Sequence, residues 1–239
     1  MRQVGTDRNV DLPPHGSFEV GLVINADFVQ PTLDQHFLRL LEAQHPNLTG
    51  WPLWLDSGGF SDDQSRPYVY EGGWETLIVN DVFDGVDFMR KEPRGHFYLY
   101  RALEDDFVSG RAGLEPQTKL EFGLTILRTA EAIAVGRAFA QALGCTRENA
   151  TLEYTFRWTG LAGREISSWA NPRRYISRYS HAVQDELFTH TTIPFDTPPD
   201  VIATATHKVV SQVFALFGGF SVSLEVVEDL VSKLLERRL

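Results

Sequence analysis

The sequence predicts an α+β fold: a mainly antiparallel sheet built from hairpins around one long buried helix, closed by a C-terminal helix pair. Three observations predict it. Short apolar runs flank Gly72-Gly73, Pro93-Arg94-Gly95-His96 and Gly160-Leu161-Ala162-Gly163, and each is a hairpin signal. The stretch Leu120 to Leu143, LEFGLTILRTAEAIAVGRAFAQAL, reads as one helix that is apolar on more than one side, as buried helices are. Two further helical patterns close the chain around Gly218-Gly219. Hairpins mixed with helices favour an antiparallel sheet over a doubly wound parallel one. A single α+β domain is expected over residues 17–239. Residues 1–16 are polar, end in Pro13-Pro14-His15-Gly16 and read as a leader or linker. Such a beginning is expected of a chain cut from something longer.

The elements follow in order. Phe18 to Ile24 alternates apolar and less apolar residues and is the first strand. Pro31 to Gln44 is a helix capped by Thr32, with Phe37, Leu38, Leu40 and Leu41 on its buried face. Trp51 to Leu55 is a short apolar segment, and Ser57 to Ser65 a Gly- and Asp-rich loop. Tyr68-Val69-Tyr70 and Trp74 to Val79 form the first hairpin, Phe88 to Glu92 and Phe97 to Leu103 the second. The central helix spans about 36 Å at ~1.5 Å per residue, and Gly144 caps its end. Along it, Arg128 and Glu131 are spaced to form a solvated or rim ion pair. Leu152 to Trp158 and Glu165 to Trp169 are the arms of the third hairpin, and Leu187 to Phe195 is the last strand. Asp200 to Phe217 is a helix. Ser223 caps the final one, whose apolar face runs from Val226 to Leu235. This pair reads as a plain antiparallel pair, since it lacks the basic character of a DNA-binding helix-turn-helix.

Composition limits the function. The formal charge of −10 argues against general affinity for nucleic acid or anionic membrane. No apolar run approaches the ~18 residues that span a bilayer, and the N-terminus lacks the apolar core of a secretory signal. Cys145 is the one cysteine, so no internal disulfide is possible, and a reducing, cytoplasmic setting is expected. No structural metal and no cofactor are expected, because the seven histidines are scattered without ligand spacing. The acids Asp81, Asp84 and Asp87, and the run Glu104-Asp105-Asp106, read as solvated turn acids. Phosphate loops, dinucleotide fingerprints, nucleophile elbows and zinc-protease signatures are all missing.

One stretch stands out. Arg157, Arg164, Arg173, Arg174 and Arg178 face a single acid, Glu165, in an otherwise acidic chain, with Trp158, Trp169 and Tyr175 interleaved. Arginine forks bind carboxylate or phosphate at two points, and aromatic faces stack on rings. Arg157, Trp158, Arg164, Trp169, Arg173 and Arg174 are therefore the candidate ligand-binding residues, with no catalytic residue assigned. The alternative is that these arginines pair with the chain's own acids. In a strand, Arg157 and Trp158 point to opposite faces, so not all six can share one pocket.

Several segments together carry a resemblance: PPHGSFEVGLVI (Pro13 to Ile24), LTGWPLWLD (Leu48 to Asp56), RPYVYEGGWETLI (Arg66 to Ile78), DFMRKEPRGHFYLYRALEDD (Asp87 to Asp106), AEAIAVGRAFAQALG (Ala130 to Gly144) and FRWTGLAGREISSW (Phe156 to Trp169). They resemble the C-terminal region of bacterial proteins that begin with a Schlafen-type domain, also described as AlbA-like or divergent AAA and regarded as a DNA- or ATP-binding module. That domain's own segments are not in this chain, so none of its activity transfers to a residue here. The resemblance implies a non-catalytic sensor or interaction module of a multidomain regulatory or defence protein, working with a protein partner or an attached effector domain. Two alternatives accompany it: an enzyme or binding domain for an anionic small molecule or nucleotide, and a nucleic-acid-binding module using the same arginines.

Overall fold

The computed structural model describes residues 14–48, 65–80, 85–107, 114–146, 150–171, 173–174, 176 and 180–239. The leader as far as 13, the apolar segment at Trp51, most of the loop after it, Asp81, Asp84, Tyr175 and Arg178 lie outside the described residues.

The fold is α+β, as the sequence predicts. Seven strands form one antiparallel sheet: β1 (Ser17–Asn25), β2 (Tyr68–Tyr70), β3 (Gly73–Asn80), β4 (Gly85–Glu92), β5 (His96–Ala102), β7 (Thr151–Thr159) and β9 (Leu187–Pro194). Their order across the sheet is β2-β3-β4-β5-β1-β7-β9, so the first strand of the chain lies inside the sheet, between β5 and β7. A second, two-stranded parallel sheet joins β6 (Lys119–Glu121) to β8 (Glu165–Ser167). The helices are α1 (Gln35–Ala43), the single turn α2 (Glu104–Phe107), α3 (Phe122–Ala142), α4 (Pro199–Ala215) and α5 (Leu224–Leu235).

Alternation along the strands decides which face is covered. Val20, Leu22, Leu99, Leu152, Tyr154 and Phe156 point to the helices and are buried in one core. Helix α3 crosses β1 and β7, α4 packs along α3 and against β9, and α5 packs on both helices with its other side exposed. Close contact between α3 and the sheet depends on Gly136. A Cβ there would stand 2.2 Å from the Tyr154 hydroxyl and 2.7 Å from Leu22 Cδ2. With only hydrogen at that position, Tyr154 Oη donates to the carbonyl of Ile133 at 2.8 Å. None of the described helices is long and apolar enough to cross a membrane.

Three expectations shift. The first helix starts at Gln35, because Asp34 rather than Thr32 caps it, accepting from the backbone N–H of His36 and of Phe37. The Arg128–Glu131 pair is not a rim pair. The Glu131 side chain is fully buried, and Arg128 bridges it to Glu104. The third hairpin is not formed. The chain leaves β7 through Gly160 and Gly163, both at positive φ; Arg164 then turns into the interior, and β8 pairs with β6 while β9 takes the place beside β7.

Candidate functional site

The face of the sheet away from the helices carries the other half of the alternation. Near β3 and β4 it is apolar and closed, with Leu77, Val86 and Phe88 buried. Across β5, β1, β7 and β9 it is open: Val23 is 40% exposed, Phe188 59%, and Glu153, Thr155, His190 and Thr192 are also exposed. A groove of about 340 Å³ crosses it, lined by Gly21, Arg90, Glu92, His96, Tyr98, Glu153 and Thr155. Gly21 opens the groove. Its own Cβ would meet nothing within 4 Å, so the floor is bare where neighbouring positions carry side chains.

The charges along this face are already paired. Arg90 Nε donates to Glu92 Oε1 at 2.7 Å, its Nη1 bonds Glu75, and its Nη2 donates to the carbonyl of Glu71 at 2.7 Å. Burial works against ionisation of Glu92, but Arg90 and Arg94 outweigh it and hold the carboxyl below its usual range. On the far side of Gly21, Tyr98 Oη donates to Glu19 Oε2 at 2.6 Å and Arg157 Nη1 donates to Glu19 Oε1 at 2.8 Å. Arg157 also bonds Glu186, and its guanidinium lies 5.4 Å from the Phe188 ring centroid. Burial, and then the bond to Glu19, push the Tyr98 phenol far above its usual range, so it stays a neutral donor.

A second constellation is internal. Arg164 and Asp106 are both fully buried and meet fork to fork, Nη1 to Oδ1 at 2.7 Å and Nη2 to Oδ2 at 2.6 Å. Asp106 also accepts the backbone N–H of Gly16 at 2.8 Å and of Gln117 at 2.7 Å, and Arg164 donates to the carbonyl of Lys119 at 2.8 Å. One ion pair thus ties together the start of β1, the turn after β5, the approach to β6 and the turn after β7. Beside it, Trp169 Nε1 donates to Asp105 Oδ1 at 2.8 Å. Burial pushes the Asp105 carboxyl up to about 7 and the Glu121 carboxyl, which caps α3 through the Leu124 N–H, up to about 7 as well. Asp105 and Asp106 are therefore not solvated turn acids, contrary to the sequence reading.

The six candidate residues do not converge. Arg157 stands on the open face. Trp158 is in the core, its ring 5.3 Å from that of Phe18. Arg164 is in the internal clamp, Trp169 is beside Asp105, and the Arg174 guanidinium lies 5.0 Å from the Phe122 ring centroid. Arg173 is exposed, with its backbone N–H held by Asn171 Oδ1 at 3.2 Å. Only Arg157 borders the open face. The groove residues escaped the sequence reading because they come from three stretches far apart in the chain, β1, the β4–β5 hairpin and β7; the one local signal was Glu19-Gly21, the polar half of the first strand's alternation. Among the described residues, no group of His, Cys, Asp and Glu side chains is arranged to hold a metal ion. Cys145 is buried, and burial pushes its thiol up, away from the reactive thiolate.

No protein-family model, no curated protein and no solved structure matches this chain.

Proposed function

We propose that the chain is a non-catalytic interaction or sensor module that receives a protein partner, an attached effector domain or a separate chain, on the open face of its sheet. The observation that carries this reading is the state of the charges on that face. An anionic small molecule needs a cation with donors to spare, but Arg90 and Arg157 are each already held by two carboxylates. What the face offers instead is a shallow groove, bare strand at Gly21, and exposed Val23 and Phe188 beside fixed polar groups. Polar groups with a few exposed apolar side chains among them are within the ordinary make-up of a non-obligate protein–protein surface. The resemblance to the C-terminal region of Schlafen-type bacterial proteins gives the same reading, a regulatory accessory beside an effector.

Gly21→Leu tests it. The new side chain enters open space, so the fold should be kept and the melting temperature should stay within a few degrees of wild type. A photo-crosslinker at Thr155 should join the native chain to a protein surface, and Gly21→Leu should abolish that crosslink. Crosslinking that is unchanged in Gly21→Leu removes the groove reading. Native mass spectrometry that finds a small anion bound at the face, displaced by Gly21→Leu, would favour the small-molecule alternative.

A further inference from the structure

Beyond β8 the chain folds into a tight turn that lies over the start of α3. The carbonyl of Ser168 accepts the N–H of Asn171 at 3.0 Å, the carbonyl of Asn171 accepts the N–H of Arg174 at 2.9 Å, and Ser168 Oγ donates to the Arg174 carbonyl. Ala170, Asn171 and Arg173 are exposed, while Trp169 and Arg174 reach the body of the protein. Trp169 Nε1 donates to Asp105 Oδ1 at 2.8 Å, and the Arg174 guanidinium lies 5.0 Å from the ring centroid of Phe122, the residue after Glu121. The turn is therefore seated on two acids. Asp105 and Glu121 are both buried, and they are close enough to repel one another. Arg101, Glu104 and Arg128 line the same small cavity as Asp105. The cations around the two acids are engaged by other carboxylates: Arg164 by Asp106, Arg101 by Asp87, Arg128 by Glu104 and Glu131, and Lys119 of β6 by Glu165 of β8.

We infer that the segment from Ser168 to Arg174 is a strap that stays closed over the start of α3 while Asp105 and Glu121 carry protons and lets go when they lose them. Asp105 faces the Trp169 indole, Arg164, Asp106 and the N–H of Glu121. Glu121 faces the N–H groups of Leu124 and Gly123, Asp105 and Arg174. The indole, the N–H groups and the two arginines favour ionised carboxyls, but burial outweighs them and holds both acids at about 7. With both protons gone, the closed turn keeps two like charges from water, and Arg174 is what the strap sets against them. Lifting the strap lets water reach the acids and returns each to its ordinary value, 3.8 and 4.5. The open form then binds fewer protons, so rising pH favours it. From about pH 6 to about pH 8 each acid raises the ratio of open to closed strap about tenfold, and the two together about a hundredfold. The strap is separate from the open face of the sheet, and neither reading depends on the other.

Exchange of the Trp169 indole N–H with solvent measures the opening, because that hydrogen is the one bonded to Asp105. The full chain carries isotope-labelled tryptophan, Trp169→Phe assigns the signal, and the core residue Trp158 is the reference. From about pH 6 to about pH 8, protection of Trp169 relative to free indole should fall about a hundredfold, and at both values it should be weaker than that of Trp158. In Asp105→Asn with Glu121→Gln, where neither position can ionise, protection should be the same at both pH values. Constant protection in the wild type overturns the inference. So does protection equal to that of Trp158, which would mean that the turn opens only with the whole fold, and so does a fall that persists in the double variant. If the double variant does not fold, the wild-type comparison decides by itself.

Discussion

Arg164 and Asp106 meet where four segments cross, and neither has water to fall back on. Removing one partner leaves the other charge buried, which costs about 3–5 kcal/mol. Arg164→Ala should therefore lower the unfolding free energy by that amount, and added phosphate or nucleotide should not restore it. A variant that melts within a degree or so of wild type would show that the clamp is dispensable. Gly16 is part of the same clamp: a Cβ there would lie 2.6 Å from Arg164 Nη2 and 2.8 Å from the carbonyl of Thr159. The sequence showed the arginines but not their partners. Glu104-Asp105-Asp106 reads as a solvated run because it is short, acidic and follows a strand. Nothing local reveals that Arg164, 58 residues later, reaches it. Side-chain partners at such separations are fixed by topology, which pattern does not encode.

At the scale of elements, α3 shows what pattern does encode. Its broad apolar surface predicts burial, and Ile126, Ala130, Ala132, Ile133 and Ala140 are all fully buried. Ala134, by contrast, is only half-buried, so Ala130→Asp is the sharper probe of this helix. It should unfold the domain, since an unpaired charge in that position is far more costly than the protein's whole stability can absorb. Gly136 separates two opposing effects. In a helix, Ala is favoured over Gly by about 1 kcal/mol. Overpacking costs about 1–3 kcal/mol, and the Tyr154 bond to Ile133 adds about 1 kcal/mol if it is lost. Gly136→Ala should thus destabilise, and Tyr154→Phe in the same chain should recover part of the loss. A net gain in the single variant would mean that the helix and the sheet can separate freely. The third hairpin failed for a related reason. Gly160 and Gly163 signal a turn correctly, but a turn does not name its pairing partner. The choice of β6 for β8 follows from where Arg164 is anchored.

At the scale of the molecule, one face of the sheet is sealed by helices and holds buried ionisable groups of both signs, while the other carries paired charges in reach of solvent. The sealed side makes stability depend on pH in an unusual way. Asp105 and Glu121 have folded values raised from 3.8 and 4.5 to about 7. Each contributes stability that is full below its unfolded value and is lost as pH rises toward 7, because the folded state keeps a proton that the unfolded chain releases. Lys91 goes the other way. Burial lowers it from 10.5 to about 7, so its contribution is full above 10.5 and is lost as pH falls through 7. His45 is lowered from 6.5 to about 3, by burial first and then by Lys91 and Arg101, so its contribution is full above 6.5 and is lost toward 3. Between 4.5 and 6.5 the two acids outweigh the one histidine, and stability falls with rising pH. From 6.5 to 7 only the acids act, and from 7 to 9.0, where the raised Cys145 thiol starts to count, Lys91 acts with the opposite sign. Stability should therefore pass through a minimum near neutral pH. Urea midpoints at about pH 5, 7 and 9 measure it, and the middle one should be the lowest. Lys91→Met should flatten the alkaline limb, and Asp105→Asn should weaken the acid one. A midpoint that climbs steadily from about pH 5 to about pH 9 would mean that Asp105 and Glu121 are ionised in the folded protein, and that the interior around α3 is open to water.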